Sequence, residues 1–242
     1  MADFNTHLGT ASVVSMITAT VFYGARTIGP QEFVYYFFLG TFSGTLPDID
    51  SDTSTALKNF FNFLGVMLAF LVLFFRIGQL SILEMMIIWA AVFSIIRYGI
   101  FQIFTWYTVH RGLFHSIPAA LASGLIVGII CDQFFHMTPM KSWLSIFFVI
   151  VGYLSHLILD EIYSIEFSSA RVKWTFGSAC KLLSLDNWHY YVYLYILIAV
   201  LFYYSPDPKP FVNQFIDGTF MNAMSKHFYP SNGWFSAFSI YK

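Results

Sequence analysis

The chain has 242 residues, 57% of them hydrophobic and only 10% charged, with a mean hydropathy of +0.66. A soluble domain carries roughly a quarter charged residues, so this composition excludes one and points to a membrane. With 12 basic against 13 acidic residues the net charge is −1, which leaves no basic field for nucleic acid.

A spanning helix takes about 20 mostly apolar residues. The first apolar run, 8 to 25, follows Asp3 and His7 with no basic segment before it, so it reads as a retained helix and not a cleaved leader. The second, 31 to 46, is short, contains Gly40 and Gly44, and ends at Pro47. Its small residues suit close packing against neighbours. Runs 59 to 76 and 80 to 106 follow, and the latter carries Arg97, expected to face a partner or a polar cavity instead of lipid. Runs 113 to 131, 142 to 163 and 188 to 204 complete the series. Turn signals separate them at Gly29-Pro30, Pro47-Asp48, Ile77-Gly78 and Thr138-Pro139. The expectation is an all-α polytopic transmembrane helical bundle over residues 1–204, with six to seven spans.

The longest connection within it, about 164 to 187, holds Arg171, Lys173, Trp174 and Lys181. Ser205-Pro206-Asp207-Pro208-Lys209-Pro210 then opens a tail, 205–242. In that tail Phe211, Phe215, Met221, Met224 and Phe228 fit one side of an interfacial helix, or equally a cover packed on the bundle. Cys131 and Cys180 read as free, inert thiols. Tyr107, Tyr153 and Trp188 read as interface aromatics, and His136, His189 and His227 as structural.

The polar residues are few and grouped. His110-Arg111-Gly112-Leu113-Phe114-His115-Ser116 packs two imidazoles, a guanidinium and a hydroxyl between apolar runs. Such groups beside hydrocarbon are costly unless paired or bound. If the first six spans alternate in direction, His7, the Asp48 to Asp52 turn, this cluster and the His156/Asp160 pair all fall on one side of the membrane. Chance alone would do this about one time in eight. His156 and Asp160 are spaced i, i+4 and share a helix face, as the two histidines of a zinc-binding H-E-x-x-H do. Asp48 and Asp50 add oxygen ligands just past a helix end.

The expected metal ligands are therefore His7, Asp48, Asp50, His110, His115, His156 and Asp160, at one membrane interface. Seven candidates with mixed nitrogen and oxygen donors fit one or two divalent ions, zinc first, with manganese or iron as alternatives. A metal-activated water would then attack a phosphoester or ester of a lipid-like amphiphile. Arg111 would hold an anionic head, and Asp50 or Asp52 would serve as general base. Plainer readings stand beside these: His7 as an interfacial hydrogen-bonding residue, His156 with Asp160 as a helix–helix hydrogen bond, Asp48 to Asp52 as a turn and cap, and Arg111 as a snorkelling anchor. The rival function is an ion or solute transporter or a metal-binding regulator, since intramembrane Asp and His also mark ion paths. Loop charges (Lys58, Arg111, Arg171, Lys173 and Lys181 against Arg26, Arg76 and Lys141) lean toward a cytoplasmic site.

Four motifs together resemble the YdjM family: Thr6-His7, Leu46-Pro47-Asp48-Ile49-Asp50-Ser51-Asp52, the His110 to Ser116 stretch, and Gly152-Tyr153-Leu154-Ser155-His156-Leu157-Ile158-Leu159-Asp160. The resemblance runs from about residue 6 to residue 186. It implies a bacterial inner-membrane protein, a metal centre and a hydrolase activity of undefined substrate. Many members carry a Trp-Pro pair after the last motif, where this chain has Lys173-Trp174-Thr175-Phe176. The tail after Asp186 carries no resemblance. The ligand order is also similar to that of zinc-dependent phospholipase C and its related nucleases, which favours phosphoester chemistry by analogy.

Overall fold

The computed structural model describes residues 4 to 50, 80 to 102, 113 to 166, 171 to 172, 180 to 183 and 188 to 228. Between 58 and 73 it also describes Lys58, Phe61, Asn62, Gly65, Val66, Ala69, Phe70 and Leu73. In chain order the elements are α1 (Phe4–Gly24), α2 (Pro30–Ser43), a 3₁₀ turn (Leu46–Asp50), α3 (Ile82–Ser94, continuing as a π-helical segment Ile95–Ile100) and α4 (Ile117–Gln133). After these come α5 (Pro139–Tyr163), a hairpin of β1 (Ile165–Glu166) and β2 (Arg171–Val172), α6 (Trp188–Tyr204), α7 (Lys209–Ile216) and α8 (Thr219–Phe228). The chain forms two compact units, Met1–Thr45 with Ser116–Lys242, and Leu46–His115.

In the first unit, local chemistry sets the helix starts. Pro30 and Pro139 open α2 and α5, where a missing N–H costs nothing. Ser116 caps α4, its Oγ accepting from the Ala119 N–H at 3.3 Å. Helix α1 is rich in hydroxyls, and Ser12, Thr18 and Thr20 each donate to the carbonyl four residues back at 2.7–2.8 Å. That bond keeps a hydroxyl satisfied without water.

Helices α1, α2 and α5 meet through glycines. A Cβ on Gly152 of α5 would strike the Gly40 carbonyl and Ser43 Oγ of α2. One on Gly44 would strike the Ala11 methyl of α1 and lie 3.2 Å from the Gly152 carbonyl. Backbones can approach this closely only where no side chain intervenes. Helix α4 lies on α5, with Gly124 and Gly128 against Ile146. At the far end of the three-helix core, Glu32 of α2 pairs with Lys141 of α5 at 2.7 Å, and Tyr36 donates to the Lys141 carbonyl at 3.0 Å.

The described part of the tail packs on this unit. Phe220, with Phe211, Ala223 and Met224, packs on the cluster of Ala19, Phe22, Ala25, Ile28, Tyr36, Leu144 and Phe148. Trp143 Nε1 donates to the Pro206 carbonyl at 2.8 Å, and Gln214 Nε2 to Thr27 Oγ1 at 2.9 Å. Gly218, at φ +69, supplies the left-handed turn that lets α8 fold back on α7. Emptying the Phe220 site, with Phe22 5.1 Å away between ring centroids, should cost about 3 kcal/mol. Phe220→Ala is therefore expected to speed limited proteolysis of segment 205–228 by about 100-fold; an unchanged rate would show the tail is held by other contacts.

In the second unit, Phe61, Gly65, Ala69 and Leu73 are buried, a four-residue spacing that marks one helical face. Ser81 and Glu84 form a reciprocal cap at the start of α3. Trp89 stacks on Phe93 with centroids 5.4 Å apart. The Arg97 guanidinium lies 4.7 Å from the Phe101 ring centroid and 5.3 Å from that of Tyr98.

Every predicted apolar run contains described helical residues, but the 113 to 131 run becomes helical only at Ile117, and the 31 to 46 run leaves the α-helix after Ser43. Two helices, Ile82–Ile100 and Pro139–Tyr163, are long and apolar enough to cross a membrane, and Ile117–Gln133 and Trp188–Tyr204 are shorter apolar helices. The expected six to seven spans are thus not all matched by full-length apolar helices: α2 has only 14 residues, and α1 is diluted by its hydroxyls. Tyr153 is fully buried in the core, and so is not the interface aromatic expected of it. Trp188 is exposed, while Tyr107 lies outside the described residues.

Candidate metal centre

His7 is the fourth residue of α1, and His156 and Asp160 occupy the last two turns of α5. The glycine contacts that join α1, α2 and α5 bring them together. The imidazole rings of His7 and His156 stack with centroids 3.6 Å apart and planes 12° from parallel. Asp160 reaches both: Oδ1 lies 3.3 Å from His7 Nε2 and Oδ2 lies 3.5 Å from His156 Nε2. His7 is 1% exposed, His156 0% and Asp160 5%, so bulk water screens none of them.

The protonation pattern follows from one backbone atom. His156 Nδ1 is 2.7 Å from the Gly44 carbonyl oxygen, which can only accept, so Nδ1 carries the proton. The neutral ring then turns the Nε2 lone pair toward the Asp160 carboxylate. Two electron-rich atoms facing each other in a buried place repel unless a proton or a metal cation lies between them. One divalent ion would serve both nitrogens and the carboxylate together. The three ligand atoms lie within 4.8 Å of one another, and two nitrogens with one oxygen are a donor set suited to Zn, Mn or Fe. The residues present therefore fit a metal, with the Gly44 carbonyl as the outer partner that orients His156.

Of the other expected ligands, Asp48 and His115 belong to the second unit, where Asp48 Oδ1 and His115 Nε2 are 4.0 Å apart. Asp50 ends the 3₁₀ turn, and its side chain lies outside the described residues, as do His110, Arg111 and Asp52. Lys173 and Trp174 also lie outside them. His136 sits in the α4–α5 turn at φ +49, and His189 stacks on Trp188 at 4.4 Å; neither joins the cluster. The His227 side chain is outside the described residues.

Two structural parts of the site carry no side-chain signature in the sequence. One is the Gly44 carbonyl. The other is the strand-like bridge between Ser116 and Lys181, in which the Ile117 N–H donates to the Lys181 carbonyl at 3.1 Å and fastens the long connection to the start of α4. The cysteines stay apart from this chemistry. Cys131 is buried with its Sγ 3.2 Å from the Tyr35 hydroxyl, and burial, then Glu161, push the Cys180 thiol above its ordinary range, so it remains protonated and unreactive near neutral pH.

No curated protein and no solved structure is significantly similar to the chain. The family model described as YdjM inner membrane protein matches residues 1–212. That match starts before Thr6 and runs past Asp186 into α7, so the family likeness includes α6 and the start of the tail, which the motifs alone had not indicated. It spans most of the molecule, and the chain belongs to the YdjM inner membrane protein family.

Proposed function

We propose that this protein is a multi-pass inner-membrane metalloenzyme that hydrolyses a phosphoester or ester of a lipid-like amphiphile. The observation that carries this reading is the buried convergence of His7, His156 and Asp160. Three protein ligands of this kind leave a coordination position open, as catalytic zinc sites do and closed structural sites do not. A divalent ion held there supplies Lewis acidity and activates water near neutral pH. The chain's own part is to orient and to exclude: Gly44 fixes the His156 ring, Asp160 supplies the negative charge, and the packed helices keep bulk water out. The sequence pattern adds Asp48 and His115 to the candidate ligands, Arg111 as the residue for an anionic head, and Asp50 or Asp52 as general base.

The rival reading, a transporter or metal-binding regulator, uses the same residue types. Transport sites lie near the bilayer midplane, often at broken helices. Here His7 is the fourth residue of α1 and Asp160 the fourth from the end of α5, which favours a site near the headgroups. The test is activity. Purified protein in detergent is expected to hydrolyse at least one of a phosphodiester, a phosphomonoester and a lipase substrate. A chelator should abolish that activity, and Zn, Mn or Fe should restore it. Bound metal without turnover of any of these, together with metal uptake in proteoliposomes, would sink the hydrolase reading in favour of transport.

A further inference from the structure

Arg97 stands within the 19-residue stretch Ile82–Ile100, one of the two helices long and apolar enough to cross a membrane. Along that stretch only Ile96 is buried, so α3 presents most of its surface outward and Arg97 is itself half-buried. A guanidinium in such a helix needs an anion or water. Among the described residues no carboxylate lies within ion-pair distance of it. Its neighbours are the faces of Phe101 and Tyr98, and the attraction of a cation to such rings is smaller than the cost of taking it from water.

The backbone is also irregular at this point. Residues Ile95–Ile100 form a π-helical turn, closed by the Phe101 N–H donating to the Ile96 carbonyl. Single π turns are rare and concentrate at functional sites. Helical side chains ordinarily lean toward the helix N-terminus, yet the Arg97 guanidinium lies closest to Phe101, on the C-terminal side. It therefore reaches toward the C-terminal end of the Ile82–Ile100 stretch, and so toward the leaflet on that side if the stretch is a span.

We propose that Arg97 binds the phosphate of an anionic phospholipid in that leaflet, with Phe101 and Tyr98 flanking the guanidinium. The planar fork of arginine matches two phosphate oxygens, and Arg97 stands three residues from the C-terminal end of the candidate span Ile82–Ile100, the side on which that leaflet's phosphates would lie. The proposal rests on α3 being a membrane span, and it is independent of the metal centre.

Native mass spectrometry of the protein released from nanodiscs of phosphatidylcholine with a minority of phosphatidylglycerol tests it. Wild type is expected to retain phosphatidylglycerol above its bulk share, and Arg97→Gln to lose that enrichment by roughly tenfold, the effect of one charge-assisted contact. Arg97→Lys, which keeps the charge but not the fork, should fall between them and guards against a mere folding defect. Asp160→Asn should retain lipid as wild type does, so failure of the metal reading leaves this result readable. Equal enrichment in wild type and Arg97→Gln overturns the proposal, as does displacement of the lipid by millimolar inorganic phosphate. The span is checked separately, with both native cysteines replaced: labelling of Ile87→Cys in intact nanodiscs by a water-soluble maleimide would remove the basis of the proposal.

Discussion

Asp160→Asn protein is expected to be purified without its divalent metal and to remain helical. The substitution keeps the shape of the side chain and removes the one charge that faces both His7 Nε2 and His156 Nε2, at 3.3 and 3.5 Å. Loss of an outer hydrogen-bond partner already lowers metal affinity roughly 10–100-fold, and loss of a direct anionic ligand should exceed that. His156→Ala and His7→Ala should do the same. The accompanying stability change has a diagnostic sign. A ligand present at 100 times its dissociation constant stabilises by about 2.7 kcal/mol, so added metal should raise the melting temperature of wild type and leave that of Asp160→Asn unmoved. If the cluster were only a hydrogen-bonded stitch between helices, metal would shift neither protein, and removing one partner of the buried set would destabilise the fold with or without metal.

Gly152→Ala should be the most damaging single methyl in the molecule. Its Cβ would run into the Gly40 carbonyl and Ser43 Oγ, and backbone cannot yield as the tip of a flexible side chain can. Overpacking of this kind costs about 1–3 kcal/mol when neighbours can adjust, so about 3 kcal/mol is the expected lower end here. The change also has a route to the site. Gly152 lies one turn before His156, and Gly44, whose carbonyl holds His156 Nδ1 at 2.7 Å, packs against the Gly152 carbonyl. Pushing α2 from α5 therefore lengthens the bond that sets the His156 proton. Gly152→Ala is expected both to melt earlier and to bind metal more weakly, as read by thermal unfolding with and without added metal. Gly9→Ala, with nothing within 4 Å of its Cβ, is the matched control and should change neither. Equal behaviour of the two variants would show that the α2–α5 approach does not position the site.

Much of this was legible in the sequence, and the reasons differ by residue. His156 and Asp160 could be paired because i, i+4 spacing fixes a shared face whatever the surroundings. His7 could be joined to them only through the alternation of helix directions; its ring lies stacked on that of His156, with centroids 3.6 Å apart. Gly40 and Gly44 announced close packing, but nothing in the composition indicated that their partner is Gly152. The Gly44 carbonyl was invisible, since a backbone acceptor leaves no mark on residue type. Tyr153 belongs to the core and not to an interface, a difference the residue type cannot show because an aromatic hydroxyl suits both places. The tail left two readings open, as an amphipathic segment offers the same apolar side to lipid or to protein. In the described part of the tail, Phe220 packs against Phe22 with ring centroids 5.1 Å apart. The number of crossings was read from hydropathy alone, which does not register that α1 hides hydroxyls by bonding them to its own backbone.

The central claim is that His7, His156 and Asp160 grip a divalent ion. X-ray absorption at the metal edge of wild-type protein, purified without chelator and dialysed, tests it most directly. The account predicts near-stoichiometric Zn, Mn or Fe with imidazole nitrogens and carboxylate oxygen in its inner shell, and the loss of imidazole scattering in His156→Ala. Folded wild type that takes up no metal when each of these ions is supplied, or metal whose spectrum is the same in wild type and His156→Ala, would contradict it.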